Sequence, residues 1–407
     1  MKERNKIIKE YIKTPVSYSC DVLVCGGGFA GISAALSAAR HGKKVILVEK
    51  EYLLGGLGTA GLVTIYLPLC DGFGKQVSFG IAEELFRLSI SLGAEADYPE
   101  NWLDSNDVTK RTEKDKRFQV RYNPHIFSIL AEKLLLENGV EILYGTYAVS
   151  VNKKKDKINA VIVENKTGRQ AIKVDSVVDA TGDCDIAVFS DTPTQVFKQG
   201  NVLAAWYYSL GSDGYNLNTL GVADIPENEK TDENKVPLLA KRRFSGLDGK
   251  EISEMVQLSH EATLNDVIKK RIGDSSYLPT MIPSIPQIRM TRRIVGEYTL
   301  DSSENHKLFD DSIGMVSDWK KRGPIYEVPF STLYSKSVKN LIVAGRCTSV
   351  TDSMWDIMRV IPCCAVTGQA AGTAAALTND FSRLDISHLQ GVLKQDCVKI
   401  HIDELEN

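Results

Sequence analysis

One stretch near the N-terminus constrains this chain more than any other. Asp21-Val22-Leu23-Val24-Cys25 is an apolar run, and Gly26-Gly27-Gly28-Phe29-Ala30-Gly31 follows it directly. Ile32 to Arg40 is rich in small residues, and Lys44-Val45-Ile46-Leu47-Val48 is a second apolar run that ends in Glu49. The order is strand, tight glycine turn, helix, strand, acid. Each glycine matters for the side chain it lacks. Gly26 permits the turn, Gly28 lets backbone approach a diphosphate, and Gly31 lets helix and strand pack closely. The helix N-terminus offers unpaired N–H groups and a partial positive charge to phosphates. Glu49 is placed to accept from both ribose hydroxyls, and its charge disfavours a 2′-phosphate. The segment predicts a dinucleotide of the FAD or NAD kind, not NADP.

Gly56-Leu57-Gly58-Thr59-Ala60-Gly61 fits the same glycine spacing. No strand precedes it and no acid closes it, so it is rejected as a second dinucleotide site. The chain has 407 residues, which suggests two or three structural units. A net charge of −3 leaves no electrostatic case for nucleic acid. No run approaches the length that spans a bilayer, so no membrane partner is expected. Met1 to Lys13 is charged and lacks the apolar core of a signal peptide. The eight cysteines follow no disulfide or metal-ligand spacing, which predicts a reducing, cytoplasmic setting and no metal.

Residues 1–18 read as a polar arm, and 19–189 as the first part of the nucleotide-binding domain. Gly55 to Gly74 is Gly-rich yet carries Leu62, Val63, Ile65, Tyr66 and Leu67, so it needs something to lie against. Residues 76–92 and Asn123 to Glu137 read as helices, and 94–120 as a charged surface excursion. Val140 to Tyr144 reads as a parallel strand. Ala148–Asn152 and Ile158–Glu164 form a hairpin, and Gln170–Asp175 follows. The run Lys153-Lys154-Lys155-Asp156-Lys157 is its solvated tip. A further strand, Ser176 to Asp179, stops at Ala180-Thr181-Gly182, small residues that let a carboxyl edge meet a ligand.

Residues 190–335 are less regular and read as an inserted substrate or cap domain. They hold strand-like pieces at Ala204–Leu210 and Tyr298-Thr299-Leu300, a polar insertion at Asp224–Lys235, and Arg289, Arg292 and Arg293. Residues 336–407 return to the nucleotide domain through the buried strand Asn340 to Ala344, which ends in Gly345-Arg346. The helix from Pro362 to Leu377 carries Gly368 and Gly372 among alanines. Glycine lowers helix propensity, so this helix must pack very closely on a flat group or another backbone. The fold class is α/β: a Rossmann-like domain with a parallel sheet, helices and a β-hairpin, interrupted by an α+β insertion.

Four segments in order carry a resemblance: the Gly26–Gly31 fingerprint with Glu49, Gly55-Gly56 with Thr59, Asp179-Ala180-Thr181-Gly182-Asp183, and Ala344-Gly345-Arg346 with the Gly368–Ala376 helix. Together they resemble FAD-dependent oxidoreductases of the glutathione-reductase-like Rossmann class. The flavin core of heterodisulfide reductase is the nearest likeness, and fumarate reductase and succinate dehydrogenase flavoproteins are more distant ones. The resemblance implies that Gly26, Gly28 and Gly31 serve the pyrophosphate and Glu49 the adenosine ribose. It places Gly55, Gly56 and Thr59 along the pyrophosphate and flavin, Ala180 and Gly182 at the adenine half, and Gly345 and Arg346 at the ribityl chain. Phe29, Ala30, Lys50, Thr181, Gly368 and Ala371 complete the implied cofactor set. No histidine stands in Gly55–Gly61, where fumarate reductase-like proteins attach their flavin, so FAD is expected to be noncovalent.

The chain lacks iron–sulfur cysteine spacing and a closely spaced redox pair; Cys363-Cys364 is adjacent, and its plainer reading is small apolar packing. The implied chemistry is hydride transfer between FAD and a small organic substrate at a C–C, C–N or C–O bond, with an external electron donor or acceptor. Arg359, in Met354-Trp355-Asp356-Ile357-Met358-Arg359, is the leading catalytic candidate, as an arginine that pairs a substrate carboxylate or is itself tied to an Asp. Arg292 and Tyr326 are further candidates. Two other functions fit the same residues: an electron-transfer flavoprotein serving an iron–sulfur partner, and a non-catalytic FAD-fold binding protein.

Overall fold

The computed structural model describes residues 8–94, 119–221 and 238–405. The opening unit is β1 (Val16–Cys25), α1 (Phe29–Arg40) and β2 (Val45–Val48). β3 (Ile65–Tyr66), α2 (Ile81–Ile90), β4 (Val120–Arg121) and α3 (Pro124–Glu137) follow. Next come β5 (Glu141–Leu143), β6 (Tyr147–Lys154), β7 (Lys157–Asn165), β8 (Gly168–Asp179) and α4 (Asp185–Phe189). The middle of the chain holds β9 (Thr194–Val196), β10 (Ala205–Gly211), β11 (Gly214–Leu220), α5 (Gly249–Gly273), β12 (Leu278–Met281) and β13 (Arg292–Ile294). β14 (Ser312–Ser317), β15 (Ile325–Pro329), β16 (Leu341–Val343), α6 (Asp352–Met358), α7 (Ile361–Leu377) and α8 (Ile386–Gln395) complete it.

The main sheet runs β5-β2-β1-β8-β7-β6, with β16 also on β8. β1 pairs β2 in parallel from Val22↔Val45 to Cys25↔Val48, and every side chain of those paired stretches is buried. Strands covered on both faces read as such continuous apolar runs. β1 nevertheless starts at Val16, so the last residues of the expected arm belong to the sheet: Val16 pairs with Ala171 and Tyr18 with Ile172. That half of β1 is largely exposed and held by backbone pairing, so it carries no apolar signal.

β8 is one continuous strand where the sequence reads as two pieces. It lies antiparallel to β7 from Asn165↔Gly168 to Ala160↔Lys173, and parallel to β16 from Leu341↔Val177 to Val343↔Asp179. Cys25, Asp179 and Val343 are therefore in register, and the carboxyl ends of β1, β8 and β16 share one edge. In open α/β sheets that edge is where ligands bind.

α7 is almost wholly buried and lies against α1. A Cβ on Gly368 would stand 2.3 Å from the Ala30 carbonyl oxygen, and one on Gly372 would stand 2.2 Å from that of Ala34. Ser37 Oγ and Thr373 Oγ1 hydrogen-bond at 2.8 Å across the same seam. The two helix-weakening glycines are thus the condition for backbone-to-backbone contact.

β11-β10-β12 form a separate antiparallel sheet. Two small apolar clusters support this region, one around Phe244 and Met255 and one around Tyr207, Val267 and Tyr277. The chain rejoins the principal core well before residue 336, since Met290, Leu300, Ile313, Val316, Tyr326 and Val328 pack in the cluster that contains α1 and α7. Tyr298-Thr299-Leu300 does not form a strand; Leu300 makes only an isolated bridge to Val350. Nearly all of the expected 94–120 excursion, and all of Asp224–Lys235, lie outside the described residues. Among the described residues no single helix is long and apolar enough to cross a membrane.

Candidate functional site: a glycine-lined cleft at the sheet edge

The first glycine turn is shaped by its contacts. Gly26 has φ +104°, its N–H donates to the Val48 carbonyl at 2.8 Å, and a Cβ there would lie 2.4 Å from the Ala180 carbonyl oxygen. Only glycine satisfies both conditions. At Gly28 the opposite holds: a Cβ would meet nothing within 4 Å, because the residue faces open space. Gly28 caps α1 in an extended conformation, no side chain caps the helix, and no acid stands in its first turn. The N–H groups of that first turn have no intrahelical partner. The Gly55 N–H donates to the Gly27 carbonyl at 2.8 Å, so the second glycine segment lies directly on the first. Gly56–Gly58 is a short 3₁₀ turn rather than the start of another β-α-β unit.

These segments enclose a cavity of about 300 Å³, at the lower end of the range for ligand sites. Of the expected cofactor residues, Gly26, Gly28, Phe29, Ala30, Glu49, Lys50, Gly55, Gly56, Ala180, Thr181, Gly182, Gly345 and Arg346 line it. So does Arg359. Six expected site residues are not brought to the cleft, each for a visible reason. Gly31 serves packing, since a Cβ there would stand 1.8 Å from the Gly26 carbonyl oxygen. Thr59 donates its hydroxyl to the Leu54 carbonyl at 2.5 Å. Gly368 and Ala371 are consumed in the buried α7. Arg292 is tied to Asp185 Oδ1 at 2.9 Å, and the buried Tyr326 donates its hydroxyl to the Ser302 carbonyl at 3.0 Å.

The cleft also contains residues that no motif announced. Asp183, Asp185, Leu57, Ile288, Ile361 and Cys364 line it. Burial, then Asp183 and Asp179, push the Asp185 carboxyl up to about 6. Burial also raises Glu49, opposed by the N–H groups of Glu51 and Gly27, which donate to its two oxygens at 2.8 and 2.5 Å. Burial pushes the Cys364 thiol up to about 12, so it stays protonated. Cys363 and Cys364 direct their sulfurs to different carbonyls, those of Ile357 and Arg359.

Arg346 is largely committed to bracing. Its Nη1 donates to the carbonyls of Ile288 and Arg289 at 2.7 and 3.1 Å, and Nη2 lies 3.7 Å from Asp183. Arg359 forks onto Asp356 Oδ1 through Nη2 and through Nε at 2.9 Å. Lys320 Nζ meets the other Asp356 oxygen at 2.7 Å. Burial alone would raise Asp356, but Arg359 and Lys320 outweigh it and hold the carboxyl below its ordinary range.

Uncapped helix N–H groups and open space at Gly28 fit a diphosphate, and backbone glycines from distant segments leave room for its two flanking nucleosides. A cleft so placed, at the carboxyl edge of a parallel sheet, marks a dinucleotide-binding α/β protein. The chain belongs to the FAD dependent oxidoreductase family, whose model matches residues 21–261 and 214–393. It is an oxidoreductase that uses FAD. It is similar to vinyl phenol reductase of Lactiplantibacillus plantarum, 28% identical over 190 residues, 40% of this chain and 38% of that protein. It is also similar to an iron-sulfur polypeptide of the CoB–CoM heterodisulfide reductase of Methanopyrus kandleri, 48% identical over 54 residues, 13% of this chain and 8% of that protein. Fumarate reductase (cytochrome) of Shewanella frigidimarina is 61% identical over 36 residues, 9% of this chain and 6% of that protein. The chain thus spans between 6% and 38% of these relatives' lengths.

Proposed function

We propose that this protein transfers hydride between noncovalently held FAD and a small organic molecule, in the cytoplasm, and exchanges electrons with an external donor or acceptor. The supporting observation is the convergence of Gly28, Gly55, Gly182, Gly345 and Arg359 on one cleft. Bound FAD supplies hydride acceptance and donation. The first turn of α1 and Gly28 hold the diphosphate, while Glu49 fixes the turn and faces the adenosine end. The N-terminus of α7, which starts beside Arg359 with Pro362 in its first turn, offers positive potential to the opposite end. Ile361, Leu57 and Ile288 give that end an apolar wall and exclude water. Arg359 is the orienting cation; its fork on Asp356 fixes its rotamer. Eight cysteines, all free thiols, fit a reducing compartment.

The test is an oxygen-free screen of the FAD-loaded chain against candidate substrates, following loss of flavin colour. A substrate that bleaches the flavin, with turnover reduced in Arg359→Met, supports the reading. Flavin that dithionite reduces but no organic substrate or carrier reaches contradicts it.

A further inference from the structure

Arg359 lines a second recess as well as the cleft. The recess measures about 20 Å³, room for a polar head group rather than a whole molecule. Phe197, Val202 and Met290 are its apolar walls, and the charged residues that line it are Arg289 and Arg359, both cations. No acid stands among its lining residues.

Arg289 is built into this place. Asn201 Oδ1 accepts from the backbone N–H groups of Arg289 and Met290 at 2.9 and 3.0 Å. The side chain is only 8% exposed and lies over the Trp206 ring, 5.1 Å from its centroid. Its Nη2 donates to Gln287 Oε1 at 3.0 Å, and Gln287 is held in turn by its own bond to the Gly61 carbonyl at 2.6 Å. Among the described residues no carboxylate forms an ion pair with Arg289. Asp356, the nearby acid, is already shared by Arg359 and Lys320. A desolvated guanidinium without a countercharge is unusual, because a buried charge is expected to be paired. The chain provides every element of an anion site here except the anion.

We propose that Arg289, together with Arg359, is a carboxylate-binding subsite that anchors a small organic acid beside the cofactor cleft. The word substrate rests on the flavin oxidoreductase reading; the binding of a carboxylate does not. Burial, then the charge of Arg359, push the Arg289 guanidinium down to about 9, still protonated at neutral pH, and a bound anion reverses that direction. The planar fork suits the two oxygens of a carboxylate.

The experiment uses the full chain with and without FAD at constant ionic strength. Acetate and succinate are titrated against acetamide and succinamide, with chloride as the control anion. The readouts are the melting midpoint and, with FAD loaded, the flavin absorbance. The carboxylates are expected to raise the midpoint and perturb the flavin, and the amides are not. Arg289→Met is expected to weaken carboxylate binding about ten-fold or more, with Arg289→Lys between it and the wild type. Equal effects of amides, or of chloride, overturn the proposal, as does wild-type affinity in Arg289→Met. Should Arg289→Met not fold, the comparison of acid with amide on the wild type decides alone. A chain that refuses FAD yet prefers carboxylates sinks the flavin reading and keeps this one; retained FAD without that preference does the reverse.

Discussion

The backbone N–H of Gly27 donates to Oε2 of Glu49 at 2.5 Å, tying the glycine turn to the end of β2. The other Glu49 oxygen accepts from the Glu51 N–H at 2.8 Å. The acid expected to serve the ribose is therefore also an anchor of the turn. Glu49→Ala leaves two N–H groups without their acceptor and is expected to cost about 1–3 kcal/mol of stability. It is also expected to lower the flavin-to-protein ratio of purified material. Glu49→Gln, which keeps an acceptor, should lose less of both. Denaturant unfolding and the visible spectrum check this, and wild-type values in Glu49→Ala would contradict it.

The seam between α1 and α7 gives a sharper contrast. Gly368→Ala forces a methyl to within 2.3 Å of the Ala30 carbonyl oxygen, where neither helix backbone can yield easily. Overpacking of this kind costs about 1–3 kcal/mol, and flavin retention should fall with it because α1 presents its N-terminus to the cleft. Gly391, in α8, has nothing within 4 Å of its Cβ position. Gly391→Ala is expected to gain up to about 1 kcal/mol. A melting comparison of the two variants checks the sign of each.

Much of the site was legible because glycine chemistry is local. The Gly26–Gly31 turn, the end of β8 and the end of β16 each announce themselves by small residues after a β-branched run. Packing roles were harder to separate from ligand roles: Gly31 and Gly368 face neighbouring backbone and Thr59 the Leu54 carbonyl, and nothing in their spacing says which partner each has. Arg289 was indistinguishable from Arg292 and Arg293 in sequence. Only the fold shows that Arg292 meets Asp185 while Arg289 is buried over Trp206 with no acid. β1 was read too short because its outer half is exposed and held by backbone alone.

Asp185 predicts a pH effect. Burial, then neighbouring acids, raise its carboxyl to about 6 in the folded chain, above the ordinary value near 3.9. The folded state then binds more protons than the unfolded one across that interval, so stability falls as pH rises through it. Arg292 opposes the shift and sets its limit. Asp185→Asn should flatten melting midpoints between about pH 4 and pH 6. Parallel profiles for the two proteins would contradict the assignment.

Cysteine reactivity separates packing from redox use. Seven of the eight cysteines are buried and Cys397 is exposed. Burial pushes Cys364 up to about 12 and raises Cys363, so neither is a ready nucleophile. Brief treatment of the native protein with a thiol reagent should modify Cys397 alone, and Cys397→Ser should abolish the rapid phase. The Cys364→Ala variant should keep its flavin and its reducibility by dithionite. Loss of reducibility in that variant would assign Cys364 a redox part.

The central claim, that separated glycine segments build one FAD cleft, is met most directly by titrating flavin-free full chain with FAD and following the flavin spectrum. Saturable binding that Glu49→Arg weakens is the predicted result. A chain that stays colourless with FAD in excess, while its melting shows it folded, would contradict the account.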